Sequence, residues 1–309
     1  MRCSPPDLTS VYVPDSWHDL TDRLPDGGRV VVIGASDSGK TTFTWWLADE
    51  LSSGGDVALV DADLGQSRIG PPACVGWTTY GVDRGEFEFV GDVQPASRLI
   101  AALSGTVRMG IRATRLTKPK WLIVDTGGFV DGPDACEFKG SQVQLLAPAT
   151  VVALGAPGRL DHLRWAWRGR DEIRWLRLDV APGCCEKSRE HRRAWRSDHF
   201  AEWLAGSVNH RFELDHLALH HVPSPEVLAE RGPDGLAGTL VGLDDHQGVG
   251  ICLGLLEDFD MSRSHATVWA PPEAAGARGL RFGALRLNPD GSPLEADAKP
   301  CETLPERQS

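Results

Sequence analysis

Four short stretches of this chain hold the residue types that handle phosphates and protons. "GASDSGKTT", Gly34–Thr42, fits the GxxxxGK[ST] pattern between an apolar run and a helical one. Its glycines let backbone N–H groups turn inward on phosphate oxygens, and the helix N-terminus behind them adds its dipole. Lys40 can reach β- and γ-phosphates and the Thr41 hydroxyl can ligate Mg2+. Gly34, Ala35, Ser36, Asp37, Ser38, Gly39, Lys40, Thr41 and Thr42 are therefore expected to hold a nucleoside triphosphate. "DADLGQ", Asp61–Gln66, sets Asp61 and Asp63 two residues apart where a buried strand emerges. One could orient Mg2+ through water while the other deprotonates an acceptor hydroxyl. "VDTGGFVDG", 124–132, ends an apolar run in Asp125, as a Walker B strand does. In "EKSREHRRAWRSDHFAEWLAG", 186–206, Arg192 and Arg196 lie one helical turn apart, and Arg189 and Arg193 repeat that spacing on a neighbouring face.

The elements that must position these groups can be read from the apolar pattern. Strands are expected over 29–34, 56–61, 121–125 and 149–155, with helices over 40–51 and 95–114. Strands alternating with helices predict an α/β fold, a P-loop NTPase whose mostly parallel sheet is covered on both faces. After the fourth strand the chain continues "APGRLDH", with no Asn/Thr-Lys-x-Asp run. Adenine, or weak base selectivity, is therefore expected over guanine. Residues 1–27 read as an irregular lead-in with a short strand near Val11–Val13. The kinase-like α/β domain is expected over 28–210, with an Arg-rich lid at about 183–200. Short strands broken by Gly, Asp and Pro predict a small β-rich C-terminal domain over 211–292, entered through "HVPSPE" (221–226). A disordered tail is expected over 293–309.

Composition narrows the possible partners. The net charge of −11 argues against a protein that coats a duplex. Between Arg159 and Arg196, however, ten Arg and one Lys face six acids. Such a local excess suits a site that grips a few phosphates. The seven cysteines show no CxxC spacing and are expected to be reduced. No apolar run is long enough to span a bilayer, and the N-terminus lacks the regions of a signal peptide, so no membrane and a cytoplasmic setting are expected.

Taken together, the order and spacing of these segments resemble the polynucleotide 5′-hydroxyl kinase family. The resemblance rests on Asp37 inside the phosphate loop, the DxDxGQ run at 61–66 and the T-x-G-aromatic-V-x-G segment at 126–132. The arginine-bearing segment before an aromatic-rich helix and the β-rich end of the chain complete it. It implies transfer of the ATP γ-phosphate, with Mg2+, to the 5′-OH of single-stranded or end-frayed RNA or DNA. It implies catalytic roles for Lys40, Asp63, Arg192 and Arg196, with Thr41 and Asp61 at the metal; Asp61 and Asp63 could exchange roles. Gln66, Thr126, Gly128, Phe129, Lys187, Arg189 and Arg193 would hold the acceptor. Two positions depart from the family pattern: Phe129 stands where Trp is usual, and Lys187 replaces the leading lid Arg. The N-terminal domain of eukaryotic members, which helps hold the adenine, is expected to be mostly absent. A switch or partitioning ATPase, and an ATP-binding scaffold in an RNA-processing complex, are the alternatives.

Overall fold

The computed structural model describes residues 3–224, 226 and 233–294. The helices are α1 (Asp15–Thr21), α2 (Lys40–Ser52), α3 (Leu99–Thr117), α4 (Pro133–Leu146), α5 (Asp161–Trp165) and α6 (Arg189–Leu204). The first sheet contains β1 (Gly28–Gly34), β2 (Val57–Ala62), β3 (Cys74–Thr79), β4 (Val82–Phe89), β5 (Trp121–Thr126), β6 (Thr150–Leu154) and β7 (Arg174–Leu178). The second contains β8 (Val208–Glu213), β9 (Ala218–His220), β10 (Thr239–Asp244), β11 (Gly250–Asp260), β12 (His265–Ala270) and β13 (Gly279–Arg286).

The first sheet runs β4-β3-β2-β5-β1-β6-β7. Its five strands from β2 to β7 are parallel, and the β3–β4 hairpin is added antiparallel at one edge. β1, β2 and β5 are apolar almost throughout and buried, as strands covered on both faces must be. On one face α3 lays down a stripe of Ala102, Gly105, Thr106, Met109, Gly110 and Ala113, the i, i+3, i+4 pattern of a helix packed on a sheet. On the other, Phe43, Trp46 and Leu47 of α2 pack with Trp17 and Leu20.

The N-terminal expectation needs correcting. Residues 11–13 form no strand, and α1 lies in the stretch expected to be irregular. Trp17 explains why: its ring is buried, edge-on to Phe43 with centroids 5.0 Å apart and 5.1 Å from Trp46. The hairpin β3–β4, helix α4 and edge strand β7 had no counterpart among the sequence expectations. The second sheet begins at Val208, upstream of 211, and already includes β9 before the segment 221–226. Its order is β8-β12-β11-β10-β13-β9, antiparallel except for β13 with β9. Of the expected tail, Pro293 bridges Leu287, while residues 295–309 lie outside the described residues.

The two sheets meet along β4. Phe87 and Phe89 of β4 join Leu240, Leu253 and Leu255 of the second sheet in one core, into which α6 inserts Phe200 and Leu204. A Cβ on Gly242 would lie 2.5 Å from Phe89, so that position must stay bare for the sheets to close. Anchored at its C-terminal end, α6 aims its first two turns at the carboxyl edge of the first sheet. No helix among the described residues is long and apolar enough to cross a membrane.

The packing of α1 predicts that Trp17→Ala destabilises the protein by about 3–5 kcal/mol in urea unfolding, as large-to-small core changes do. Tyr12→Ala, a change at a ring 63% exposed, should stay within about 0.5 kcal/mol. Equal, small effects of both would show that the N-terminal segment is not part of the core.

Candidate active site at the carboxyl edge of the first sheet

A cavity of about 970 Å³ opens where β1, β2 and β5 end. Among its walls are the phosphate loop, the 63–68 turn, Gly127–Phe129 and the first turns of α6. The loop leaves β1 at Gly34 and enters α2 through Gly39, whose φ of +80° a residue with a side chain adopts only with strain. Lys40 is buried, and its Nζ donates to the Ala35 carbonyl at 2.7 Å, lying across its own loop. Gly128 approaches the loop so closely that a Cβ there would sit 2.3 Å from Ser36 Oγ. The third segment and the phosphate loop therefore form one surface.

Thr41 Oγ1 donates to Asp125 Oδ2 at 2.6 Å, linking the first turn of α2 to the end of β5. The other oxygen of Asp125, Oδ1, is buried with no hydrogen-bond partner among the described residues. Burial raises the Asp125 pKa to about 6, against the lowering effects of Lys40 and the Thr41 hydrogen bond. Asp61 is its register neighbour on β2. Burial first, then the charges of Asp125 and Asp63, push the Asp61 carboxyl well above its ordinary value.

The two acids of the DxD run separate sharply. Asp61 Oδ1 accepts from the Asp63 amide at 2.9 Å and Oδ2 from the Arg68 amide at 2.6 Å, with Ser67 Oγ at 3.3 Å. It is buried, does not line the cavity, and ties the ends of its turn together. With both oxygens taken by its own turn, it presents no unpartnered oxygen of the kind expected at a metal. Asp63 lines the cavity; its Oδ1 accepts from the Gly65 and Gln66 amides at 3.0 and 3.1 Å, which sets its rotamer.

The arginine run is sorted by the helix. Arg192 and Arg196 are half-buried and line the cavity, whereas Arg189 and Arg193 are exposed and lie outside it. Arg192 is ion-paired with Asp37 in the phosphate loop. The Lys187 amide also donates to Asp37, at 3.1 Å, and Lys187 Nζ reaches Gln66 Oε1 at 3.4 Å. The start of α6 is thereby latched down on the loop. Gln66, Gly128, Phe129 and Lys187 line the cavity. Thr126 does not: it is fully buried and its hydroxyl donates to the Val32 carbonyl at 2.8 Å, pinning β5 to β1.

Lys139 had no place among the sequence candidates. Its Nζ, fully buried on α4, donates to the Gly127 carbonyl at 2.9 Å and to Gln142 Oε1 at 3.3 Å. It therefore holds the peptide that faces Asp63 and the phosphate loop. A lysine at i+4 from Ala135 and i−4 from Val143, both buried, was the available signal, but it needed α4 to be recognised.

The model of the mRNA cleavage and polyadenylation factor CLP1 P-loop matches residues 34–206, more than half of the chain. The chain belongs to this family. The polyribonucleotide 5′-hydroxyl-kinase of Pyrococcus abyssi is 26% identical, over 88% of this chain and 91% of that protein. That of Methanocaldococcus jannaschii is 24% identical, over 91% of this chain and 94% of that protein. A chain in the solved wild-type Clp1p–Pcf11p complex shares the fold, with a TM-score of 0.63 at 14% identity over 88% of this chain and 79% of that one.

Burial, then the neighbouring Lys40 charge, lowers the Lys139 pKa to about 7. The unfolded chain then holds the extra proton between pH 7 and about 10, so Lys139 makes stability rise with pH across that window. From pH 7 to 9 the wild type should gain on the order of 2 kcal/mol relative to Lys139→Met in urea unfolding. Parallel pH profiles for the two proteins would contradict this buried, deprotonating lysine.

Proposed function

We propose that this member of the family is an ATP-dependent polynucleotide 5′-hydroxyl kinase acting on single-stranded or end-frayed nucleic acid. The observation that carries the reading is the convergence of phosphate loop, Asp63 and the Arg192–Arg196 pair on one cavity. A hydrolase can use one arginine at the transferring phosphate, whereas a pair on one helix face offers a second cation for an acceptor's own phosphate. A phosphoryl transferase must hold an anionic acceptor against an anionic donor.

In this mechanism the loop amides and the N-terminus of α2 cradle the β- and γ-phosphates, and Lys40 leaves the Ala35 carbonyl for them. Thr41 and Asp125 suit Mg2+, because Asp125 offers a buried, unpartnered carboxylate oxygen beside a hydroxyl. When bound there, the ion would neutralise charge on the transferring phosphate. Asp63 accepts the proton of the 5′-hydroxyl: its Oδ1 is held by loop amides, and no protein group among the described residues bonds Oδ2. Arg192 and Arg196 bridge the transferring group and the acceptor's own phosphate, and Gln66, Gly128, Phe129 and Lys187 shape the acceptor side. Asp61 supports the turn that carries Asp63.

The test is transfer of labelled γ-phosphate from ATP to a 5′-OH oligonucleotide, compared with phosphate release without one. Acceptor-dependent transfer is expected; phosphate release alone would favour the switch-ATPase reading. Lys40→Ala should cost at least about 100-fold in transfer, since a preorganised charge at the transition state is worth several kcal/mol. Retention of a tenth of the activity would contradict its role. Asp63→Asn keeps the Oδ1 acceptor for the turn and should lower kcat by about 10²–10⁴-fold with little change in ATP affinity. Loss of ATP binding instead would move Asp63 to the metal.

A further inference from the structure

Beyond the cavity, the segment that follows β6 carries side chains that the transfer mechanism leaves unused. Trp165, the last residue of α5, is 58% exposed, although Leu163 two residues earlier is buried. The Arg168 guanidinium lies over its ring, 6.0 Å from the centroid. Arg164 and Arg168 are exposed and form no ion pair among the described residues. A large aromatic face held beside unneutralised guanidinium groups has little structural purpose, since burying Leu160 and Leu163 already fixes α5. On a chain of net charge −11, such a patch is complementary to a polyanion that also presents flat rings.

The patch is fastened to the acceptor side of the cavity. Arg159 makes a bidentate pair with Asp131 at 2.6 and 2.7 Å, and His162 Nε2 lies 2.9 Å from the Val130 carbonyl. Val130 and Asp131 directly follow Phe129, which lines the cavity. These contacts tie α5 and the loop before it to the segment that leaves the cavity at Phe129.

We propose that Trp165, Arg164 and Arg168 form a docking surface for the single-stranded nucleotides downstream of the phosphorylated end. One base stacks on Trp165 while the guanidinium groups take the backbone phosphates. The proposal rests on the polynucleotide kinase reading, and it extends the acceptor from an end to a stretch of chain. Base stacking on an exposed aromatic does not depend on sequence, so the surface selects for single-strandedness and length.

The test compares wild type with Trp165→Ala/Arg168→Ala, using a 3′-labelled, 5′-OH 20-nucleotide RNA in fluorescence anisotropy and a 5′-OH dinucleotide in phosphate transfer. The double variant should bind the long RNA at least about tenfold more weakly and lose about one unit of the salt slope. Its kcat/KM on the dinucleotide should stay within about twofold of wild type, and Trp165→Phe alone should retain most of the affinity. Unchanged affinity for the long RNA would overturn the proposal and leave the patch to a protein partner. An equal loss on the dinucleotide would also overturn it, because the residues would then act through the cavity. If wild type transfers no phosphate to any RNA, yet the double variant still loses affinity, the kinase reading fails and the docking surface stands.

Discussion

Two carboxylates, Asp61 and Asp125, end neighbouring parallel strands in direct register at a buried sheet edge, and the organisation of the site follows from that conflict. Like charges in a low-dielectric position repel, and burial raises both pKa values. The conflict is met differently on each strand. Asp61 is given over to backbone amides of its own turn, while Asp125 faces Thr41 and lies near Lys40 and Lys139. The turn that Asp61 closes carries Asp63 out to the cavity, and the peptide that Lys139 holds lies beside it. The arrangement thus converts a repulsion inside the sheet into fixed positions for groups outside it.

Helix α6 adds a second balance. It is clamped far from the chemistry by Phe200 and Leu204, in the core shared by the two sheets. Its near end is held by Asp37, an acid placed inside a loop built to bind anions. That contact gives Arg192 a carboxylate partner within the phosphate loop itself. In the proposed mechanism Arg192 exchanges this carboxylate for a phosphate, which would couple the position of α6 to occupancy of the loop, and a planar guanidinium suits both partners.

The sequence was most informative where local chemistry is obligatory. A phosphate loop needs its glycines, lysine and threonine in order, and four parallel strands announce themselves as short apolar runs, so both could be placed in advance. Helical spacing offered two equivalent arginine pairs, 192/196 and 189/193, and only burial against the cavity in the folded chain separates them. What escaped depends on contacts distant in sequence. The role of Asp61 is set by amides at 63 and 68 and by a strand neighbour at 125. Thr126 looked like a ligand because of its motif, yet a hydrogen bond to β1 fixes its place. The β3–β4 hairpin was obscured because β3 is buried without alternation, and α1 because its value lies in one tryptophan packed under α2.

The central claim is that donor and acceptor meet between Lys40, Asp63 and Arg192. The most direct measurement is a crystal structure with a nonhydrolysable ATP analogue, Mg2+ and a short 5′-OH RNA. The account predicts the 5′ oxygen within about 3 Å of Asp63 and in line with the γ-phosphate. It also predicts Lys40 moved from Ala35 to the phosphates, and Arg192 moved from Asp37 to the γ-phosphate. A 5′ oxygen held away from Asp63, or Arg192 still paired with Asp37 while both substrates are bound, would contradict it.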